Sequence, residues 1–286
     1  MTESILYTIG HTPLVRLTRV YPDCPFRLFA KLEGFNPGGS AKDRPALHIL
    51  QKAMRTGAVK SGTVVIESSS GNLGIGLAQA CRYLGLRFIC VVDPKTTAQN
   101  IRILKVYGAE IDLVAEPDPV TGEFLQARIN RVQTLLQTIE DSFWTNQYAN
   151  PLNAQAHYST TMSEIATELD GRIDYLFVST STCGTLRGCA EYVRDHRMRT
   201  IQRLFERGAH SSLLPAKSEA FLRFLSTVGS LPLADFWRRF LGCVRQFSDE
   251  LCLFAISHTF HHLPDQHVEH ASGECQHSSS LELSPR

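Results

Sequence analysis

The amino-acid sequence predicts an α/β protein built on parallel β-sheets, because short β-branched runs alternate with segments of helical period through the first 200 residues. This alternation implies right-handed βαβ units and three-layer domains. The predicted strands are Phe26–Leu32, Thr63–Glu67, Arg87–Val92, Glu110–Val114 and Tyr175–Ser179. The predicted helices are Pro45–Arg55, Leu73–Leu84, Thr97–Tyr107, Thr121–Ile139, Asn153–Leu169 and Thr185–Arg194.

Length and composition narrow the class of protein. A chain of 286 residues is long enough for about two domains. The formal net charge of +1 provides no field to attract nucleic acid or an anionic membrane, and no apolar run is long enough to span a bilayer. The eight cysteines are widely spaced, which favours reduced thiols in a cytoplasmic protein.

The amino-acid composition of the chain changes near residue 200. Residues 1–200 contain 26 Val plus Ile, whereas the last 86 residues contain five. We therefore expect no further strands there, and we interpret residues 201–286 as an atypical tail that is disordered or results from a shifted reading frame. A helical extension is the alternative, suggested by the spacing of Phe221, Leu222, Phe224 and Leu225. The tail histidines fit no standard zinc finger, so no metal site is predicted.

The first of three loop-to-helix junctions reads NPGGSAKDR and places Lys42 at the start of a helix. The positive end of the helix dipole disfavours a charged ammonium at this point. A lysine that readily loses its proton suits Schiff-base chemistry. The simpler interpretation is a solvated lysine at a helix start.

The second junction, SSSGNLGIG, directly follows a predicted strand. Its glycines are spaced G-x-x-G-x-G, and no acidic ribose partner follows, which disfavours a dinucleotide site. Ser69, Ser70 and Gly71 could hold a carboxylate at the helix N-terminus. A serine-capped helix with close glycine packing is the alternative.

The third junction, STCGT, covers Ser181, Thr182, Cys183, Gly184 and Thr185. Small hydroxyl residues and a glycine at a helix start can surround a phosphate monoester. No Lys follows as in a nucleotide-hydrolysing P-loop. A nucleophilic role for Cys183 is the weaker reading, because no histidine is tied to it by sequence.

These segments, together with NQYANPLNAQAHY, resemble those of the cysteine synthase and β-substituting family of fold type II pyridoxal phosphate enzymes, over residues 1–200 and in the same order. The resemblance implies the tryptophan synthase β-like fold of two domains. The larger cofactor domain would comprise residues 1–40 and 145–200 and be incomplete at its C-terminal end. The smaller substrate-loop domain would comprise residues 41–144.

The resemblance also implies a role for each site residue. Lys42 would carry pyridoxal 5′-phosphate and act as the α-proton base, and Asn72 would contact the 3′ oxygen of the cofactor. Ser69, Ser70 and Gly71, with Gln147, would hold the substrate carboxylate, and Tyr148 would shape the pocket. Ser181, Thr182, Cys183, Gly184 and Thr185 would bind the cofactor phosphate.

Within the family, VVDPKTTAQN, EPDPVTGEFLQARINRV and STSTCGT are most similar to the branch that joins O-phospho-L-serine to L-glutamate, giving the 2,3-diaminopropionate precursor of siderophores. Ser181 and Leu73 stand where cysteine synthases usually have a glycine and a hydroxyl residue. The resemblance thus implies small amino-acid substrates and, for a complete fold, a homodimer. A cysteine synthase using O-acetylserine and sulfide, or a chain impaired by its altered C-terminus, are the alternatives.

Overall fold

The computed structural model describes residues 3–19, 26–206 and 252–258, whose strands form two sheets. The strands are β1 Leu14–Arg16, β2 Phe26–Leu32, β3 Val64–Ser68, β4 Arg87–Val92, β5 Glu110–Leu113, β6 Ser142–Trp144, β7 Tyr175–Thr180, β8 Ile201–Glu206 and β9 Cys252–His258. The helices are α1 Asp43–Arg55, α2 Asn72–Leu84, α3 Ala98–Val106, α4 Phe124–Thr138, α5 Pro151–Ala156, α6 Ser163–Glu168 and α7 Gly184–Asp195. A π-helix, His157–Met162, joins α5 to α6.

The smaller sheet is entirely parallel, with strand order β5-β4-β3-β6. Its strands all lie between residues 41 and 144, and β6 ends at residue 144. One face packs on α1, α2 and α3 through Val65, Leu77 and Leu104, and the other packs on α4 through Ile66 and Val132. Burial on both faces explains why β3 and β4 read as continuous apolar runs. The predicted three-layer α/β architecture is confirmed here.

The larger sheet has strand order β1-β2-β9-β7-β8 and is mixed. Only β7 and β8 pair in parallel, while β9 runs antiparallel to both β2 and β7. The prediction of a parallel sheet therefore needs correction for this domain. Met162, Leu176 and Cys189 pack together where the α5–α6 segment and α7 cover β7.

Two strands lie where the sequence predicts none. β8 and β9 both fall after residue 200, and β7 consequently has a hydrogen-bonded neighbour on each side. β9 pairs with β2 over all seven residues, and this long pairing explains how a segment poor in Val and Ile can form a strand. The rest of the 201–286 tail, including the spaced Phe and Leu and most of the histidines, lies outside the described residues.

A buried ion network fixes α1 against the larger domain. The Arg44 guanidinium on α1 donates to Glu33 at 2.7 Å and to Glu164 at 2.6 Å. Lys31, on β2, is fully buried and lies 2.9 Å from the same Glu164 carboxylate. Because each buried charge has an opposite partner, the network anchors the first turn of α1, where Lys42 lies.

Among the helices of residues 3–19, 26–206 and 252–258, none combines the length and the hydrophobicity of a membrane-spanning segment.

Candidate active site

Three helices, α1, α2 and α7, begin at loop-to-helix junctions. Lys42, Gly71 and Cys183 are the N-cap residues of α1, α2 and α7, and none of them makes a side-chain capping hydrogen bond. α2 and α7 follow the carboxyl ends of β3 and β7, the usual position of ligand sites in α/β proteins. The three junctions singled out in the sequence are therefore the three helix starts.

The Lys42 junction is shaped by the buried carboxyl group of Asp43. Asp43 Oδ2 accepts a hydrogen bond from the Gly38 backbone N–H at 2.5 Å, and burial raises the pKa of Asp43 to about 7. A Cβ atom at Gly38 would lie 2.4 Å from Asp43 Oδ1, so only glycine fits there. Lys42 itself is half-buried, with its backbone N–H donating to Ser40 Oγ.

Hydrogen bonds from Gly74 and Asn100 hold the loop between β3 and α2 in place. Ser69 is buried and its Oγ accepts a hydrogen bond from the Gly74 N–H at 3.0 Å. The Ser70 carbonyl accepts one from Asn100 Nδ2 at 2.9 Å. Gly71 and the neighbouring Asn72 are half-buried at the start of α2. Asn100 was not among the sequence-predicted site residues, although it ends the quoted VVDPKTTAQN segment.

Gln147 is brought to this loop by the fully buried Glu67. The Glu67 carboxyl group accepts hydrogen bonds from Thr145 Oγ1, Trp144 Nε1 and the backbone N–H of Gln147. Burial raises the pKa of Glu67, while these donors act in the opposite direction. Gln147 Nε2 in turn donates to the Ser68 carbonyl at 2.8 Å. The predicted carboxylate-binding residues are thus neighbours.

Asn153 links this region to the third junction. Its Nδ2 donates to the Gln147 carbonyl at 2.9 Å and to Thr182 Oγ1 at 3.1 Å. A Cβ atom at Gly184 would lie 2.3 Å from Asn153 Oδ1, so the loop requires glycine there. Sequence reasoning missed this bridge, because asparagine in a helix carries no distinctive signal.

The predicted phosphate loop surrounds the start of α7. Cys183 has a φ of 60°, in the left-handed region, which turns the chain into the helix. Thr185 is buried and its Oγ1 lies 3.2 Å from His157 Nε2. Burial and, after it, the charge of Lys42 lower the pKa of His157. Ser181 is exposed.

Arg128, on α4, is a buried arginine. Arg128 Nε approaches Asp93 Oδ2 at 3.1 Å as an ion pair without hydrogen-bond alignment, and Arg128 Nη1 has no hydrogen-bond partner among the described residues. Burial raises the pKa values of Tyr148 and Cys90, and the positive charge of Arg128 acts in the opposite direction on both. Cys90 Sγ also donates a hydrogen bond to the Ser69 carbonyl. Arg128 was not predicted as a site residue, because an arginine within a helical period reads as a surface residue.

This donor set fits a phosphate monoester and a carboxylate. The uncapped start of α7 and two threonine hydroxyls provide donors for a phosphate, and the start of α2 with Gln147 does so for a carboxylate. A family model described as pyridoxal-phosphate dependent enzyme matches residues 5–211. The chain belongs to that family.

Solved structures agree with this assignment. A hydrogen sulfide-producing enzyme from Fusobacterium nucleatum is 32% identical, with a TM-score of 0.65 over 76% of this chain and 68% of that one. An O-ureido-L-serine synthase is 33% identical, with a TM-score of 0.67 over 75% and 66% of the two chains. An O-acetylserine dependent cystathionine beta-synthase from Helicobacter pylori is 30% identical, with a TM-score of 0.65 over 74% and 71%.

The family resemblance, the fold type II class and the pyridoxal phosphate cofactor are confirmed, and the chain is a β-substituting enzyme of this family. The chain spans about two thirds of the length of these relatives. The domain boundaries and the individual site residues stay predictions.

Proposed function

We propose that this enzyme joins O-phospho-L-serine to L-glutamate, giving N-(2-amino-2-carboxyethyl)-L-glutamate and inorganic phosphate for siderophore synthesis. The observation that carries this proposal is the buried Arg128, whose Nη1 has no partner among the described residues and whose charge reaches Tyr148. A buried, incompletely paired guanidinium is costly unless an anion completes its coordination. A phosphorylated or dicarboxylic substrate would supply that anion.

The proposed cofactor contacts are those that the family resemblance implies, and they lie at the three helix starts. Lys42 would hold the cofactor through Nζ, Asn72 would contact its 3′ oxygen, and the segment 181–185 would bind its phosphate. Bound pyridoxal phosphate supplies an electron sink that weakens the bond between the substrate α-carbon and its hydrogen. Ser69, Ser70, Gly71 and Gln147 would orient the substrate carboxylate beside Lys42.

Lys42 then has two tasks at one nitrogen. Once the amine of O-phospho-L-serine has replaced it on the cofactor, the freed neutral Nζ would take the substrate α-proton, and the phosphate group would depart with the electrons of its bond to the β-carbon. The glutamate amine forms the new bond to the β-carbon, loses one proton, and Nζ returns a proton to the α-carbon. Since phosphate leaves as an anion, the positive ends of the helices and Arg128 lower the barrier to its departure.

Steady-state kinetics with two donors and two acceptors test this proposal. We expect a higher kcat/KM for O-phospho-L-serine with glutamate than for O-acetylserine with sulfide. Arg128→Lys retains the positive charge beside Asp93 but loses the planar guanidinium that can bind an anion through two N–H groups. In this variant, kcat/KM for O-phospho-L-serine should fall about tenfold or more, while kcat/KM for O-acetylserine should change little. Equal losses for both donors would remove Arg128 from substrate recognition.

The alternative is a cysteine synthase that uses O-acetylserine and sulfide. It is favoured by the similarity to an O-acetylserine dependent enzyme, and a preference for that donor would establish it. Cytoplasmic location is also part of the proposal, supported by the free thiols of the buried Cys81, Cys90 and Cys189. The homodimer stays a prediction.

A further inference from the structure

The helical segment 151–168 packs against the phosphate loop with almost no space between the two backbones. A Cβ atom at Gly188 would lie 2.2 Å from the Ala154 carbonyl oxygen and 2.9 Å from His157 Cβ. Gly184 and Gly188 lie one helical turn apart on α7, and the absence of a side chain at both positions lets α7 approach this segment closely. The approach brings Asn153 and His157 within hydrogen-bond distance of Thr182 and Thr185.

The orientation of the Asn153 amide is fixed by its other partner. The Gln147 carbonyl can only accept, so the atom facing it must be the amide nitrogen. The same Nδ2 lies 3.1 Å from Thr182 Oγ1 and donates to it. Thr182 Oγ1 is thus an acceptor toward Asn153, and its own hydrogen is available to another acceptor.

The tautomer of His157 follows from its neighbours in the π-helix. Burial is the largest of the causes that lower the pKa of His157 well below its ordinary value, so the ring is neutral. Thr161 is fully buried, and His157 Nδ1 at 2.9 Å is the sole partner of its hydroxyl within the part of the chain that the structure describes. A buried hydroxyl hydrogen needs an acceptor, so Thr161 donates to Nδ1. His157 Nε2 therefore carries the hydrogen and donates to Thr185 Oγ1.

We propose that Asn153 and His157 are positioning residues for a phosphate monoester bound at the start of α7. Each donates to one threonine hydroxyl and so turns that hydroxyl's hydrogen toward the phosphate oxygens. The inference rests on the proposed role of residues 181–185 and adds two residues that do not themselves touch the cofactor. The π-helix contributes by placing Thr161 against Nδ1, which selects the tautomer.

The affinities for pyridoxal phosphate and for pyridoxal, which lacks the phosphate, distinguish a residue that positions the phosphate loop from one that only stabilises the fold. His157→Asn can keep the Nδ1 contact with Thr161 but cannot reach Thr185, whereas His157→Gln can place a donor near Nε2. We expect His157→Asn to weaken pyridoxal phosphate binding about tenfold and pyridoxal binding by less than about twofold, with His157→Gln restoring most of the loss. His48→Asn is the matched control, since His48 contacts Gln155 and not the loop.

Equal loss for the two ligands, or no rescue by glutamine, would overturn the proposal. The effects of His157→Asn and Thr185→Val should also not add, because both remove the same contact; additive losses would contradict it.

A measurement on the unmodified protein covers the case in which these variants fail to fold. Nitrogen NMR of the imidazole ring should show a neutral His157 with the hydrogen on Nε2, and a hydrogen on Nδ1 would overturn the inference. Failure of the unmodified protein to bind pyridoxal phosphate would instead count against the proposed function, and the tautomer would still be measurable.

Discussion

Cys183 lies in the left-handed region, with a φ of 60°, at the point where the phosphate loop turns into α7. The Cβ atom of a non-glycine residue costs about 1–2 kcal/mol in this conformation. We expect Cys183→Gly to raise the free energy of unfolding by about 1 kcal/mol, measured by urea denaturation. Cys183→Ala retains the Cβ atom and should give no gain. An equal gain in both variants would attribute the effect to the thiol.

Asp43 makes the stability of the fold depend on pH. Its pKa is about 7 in the folded protein because of burial, against an ordinary value of 3.8. The folded state therefore binds the proton more tightly than the unfolded state, so the free energy of unfolding falls as pH rises from about 4 to about 7 and is level above that.

Asp43→Asn should remove this contribution, which amounts to a few kcal/mol at about 1.4 kcal/mol per pH unit. Urea unfolding at pH 5 and pH 8 measures the difference between the variant and the unmodified protein. Asp170→Asn, at an exposed ion pair, serves as the control. An unchanged pH dependence in Asp43→Asn would show that Asp43 is already ionised at low pH.

At the scale of elements, the position of α1 depends on the buried guanidinium of Arg44. Arg44→Met would leave Glu33 and Glu164 without their main partner, and breaking a buried ion pair in this way costs about 3–5 kcal/mol. Arg187→Met is the matched control, since its exposed pair with Glu191 contributes at most about 1 kcal/mol. Thermal unfolding of both variants measures the contrast. Similar small losses in both would mean that the network does not anchor α1.

The long elements could be predicted because their periodicity is local. β2 and β4 have the predicted bounds, and α2 begins one residue early, at Asn72. The short strands β1 and β6 carry only three residues each, too few for a period to emerge. The π-helix was missed for a different reason, since His157–Met162 differs from an α-helix only in which backbone groups pair.

The residues of the candidate site also differ in whether a local sequence pattern marks them. Lys42, the Ser69–Asn72 loop and the 181–185 loop stand in glycine-rich junctions that the sequence displays directly. Asn153, His157, Glu67 and Arg128 act through contacts between distant segments, and nothing local marks them. Arg128, for example, meets Asp93 across 35 positions of sequence only after the smaller sheet has formed.

At the scale of the whole molecule, β9 completes the larger sheet from a distant part of the chain. Ala255 lies in the centre of this strand and is paired with Phe29 on one side and with Leu176 on the other. Proline at a central strand position removes a backbone donor and costs about 3 kcal/mol or more. We expect Ala255→Pro to abolish cooperative unfolding or lower its midpoint strongly, whereas Ala255→Ser should not. Unchanged stability in the proline variant would place residues 252–258 outside the sheet.

Lys42 is proposed to carry the cofactor at one of the three helix starts. Borohydride reduction of the pyridoxal phosphate-loaded protein, followed by peptide mass spectrometry, tests it most directly. We expect the reduced adduct on the peptide containing Lys42 in the unmodified protein and its loss in Lys42→Ala, together with loss of the visible absorption band. An adduct on another lysine, or one that persists in Lys42→Ala, would contradict the account.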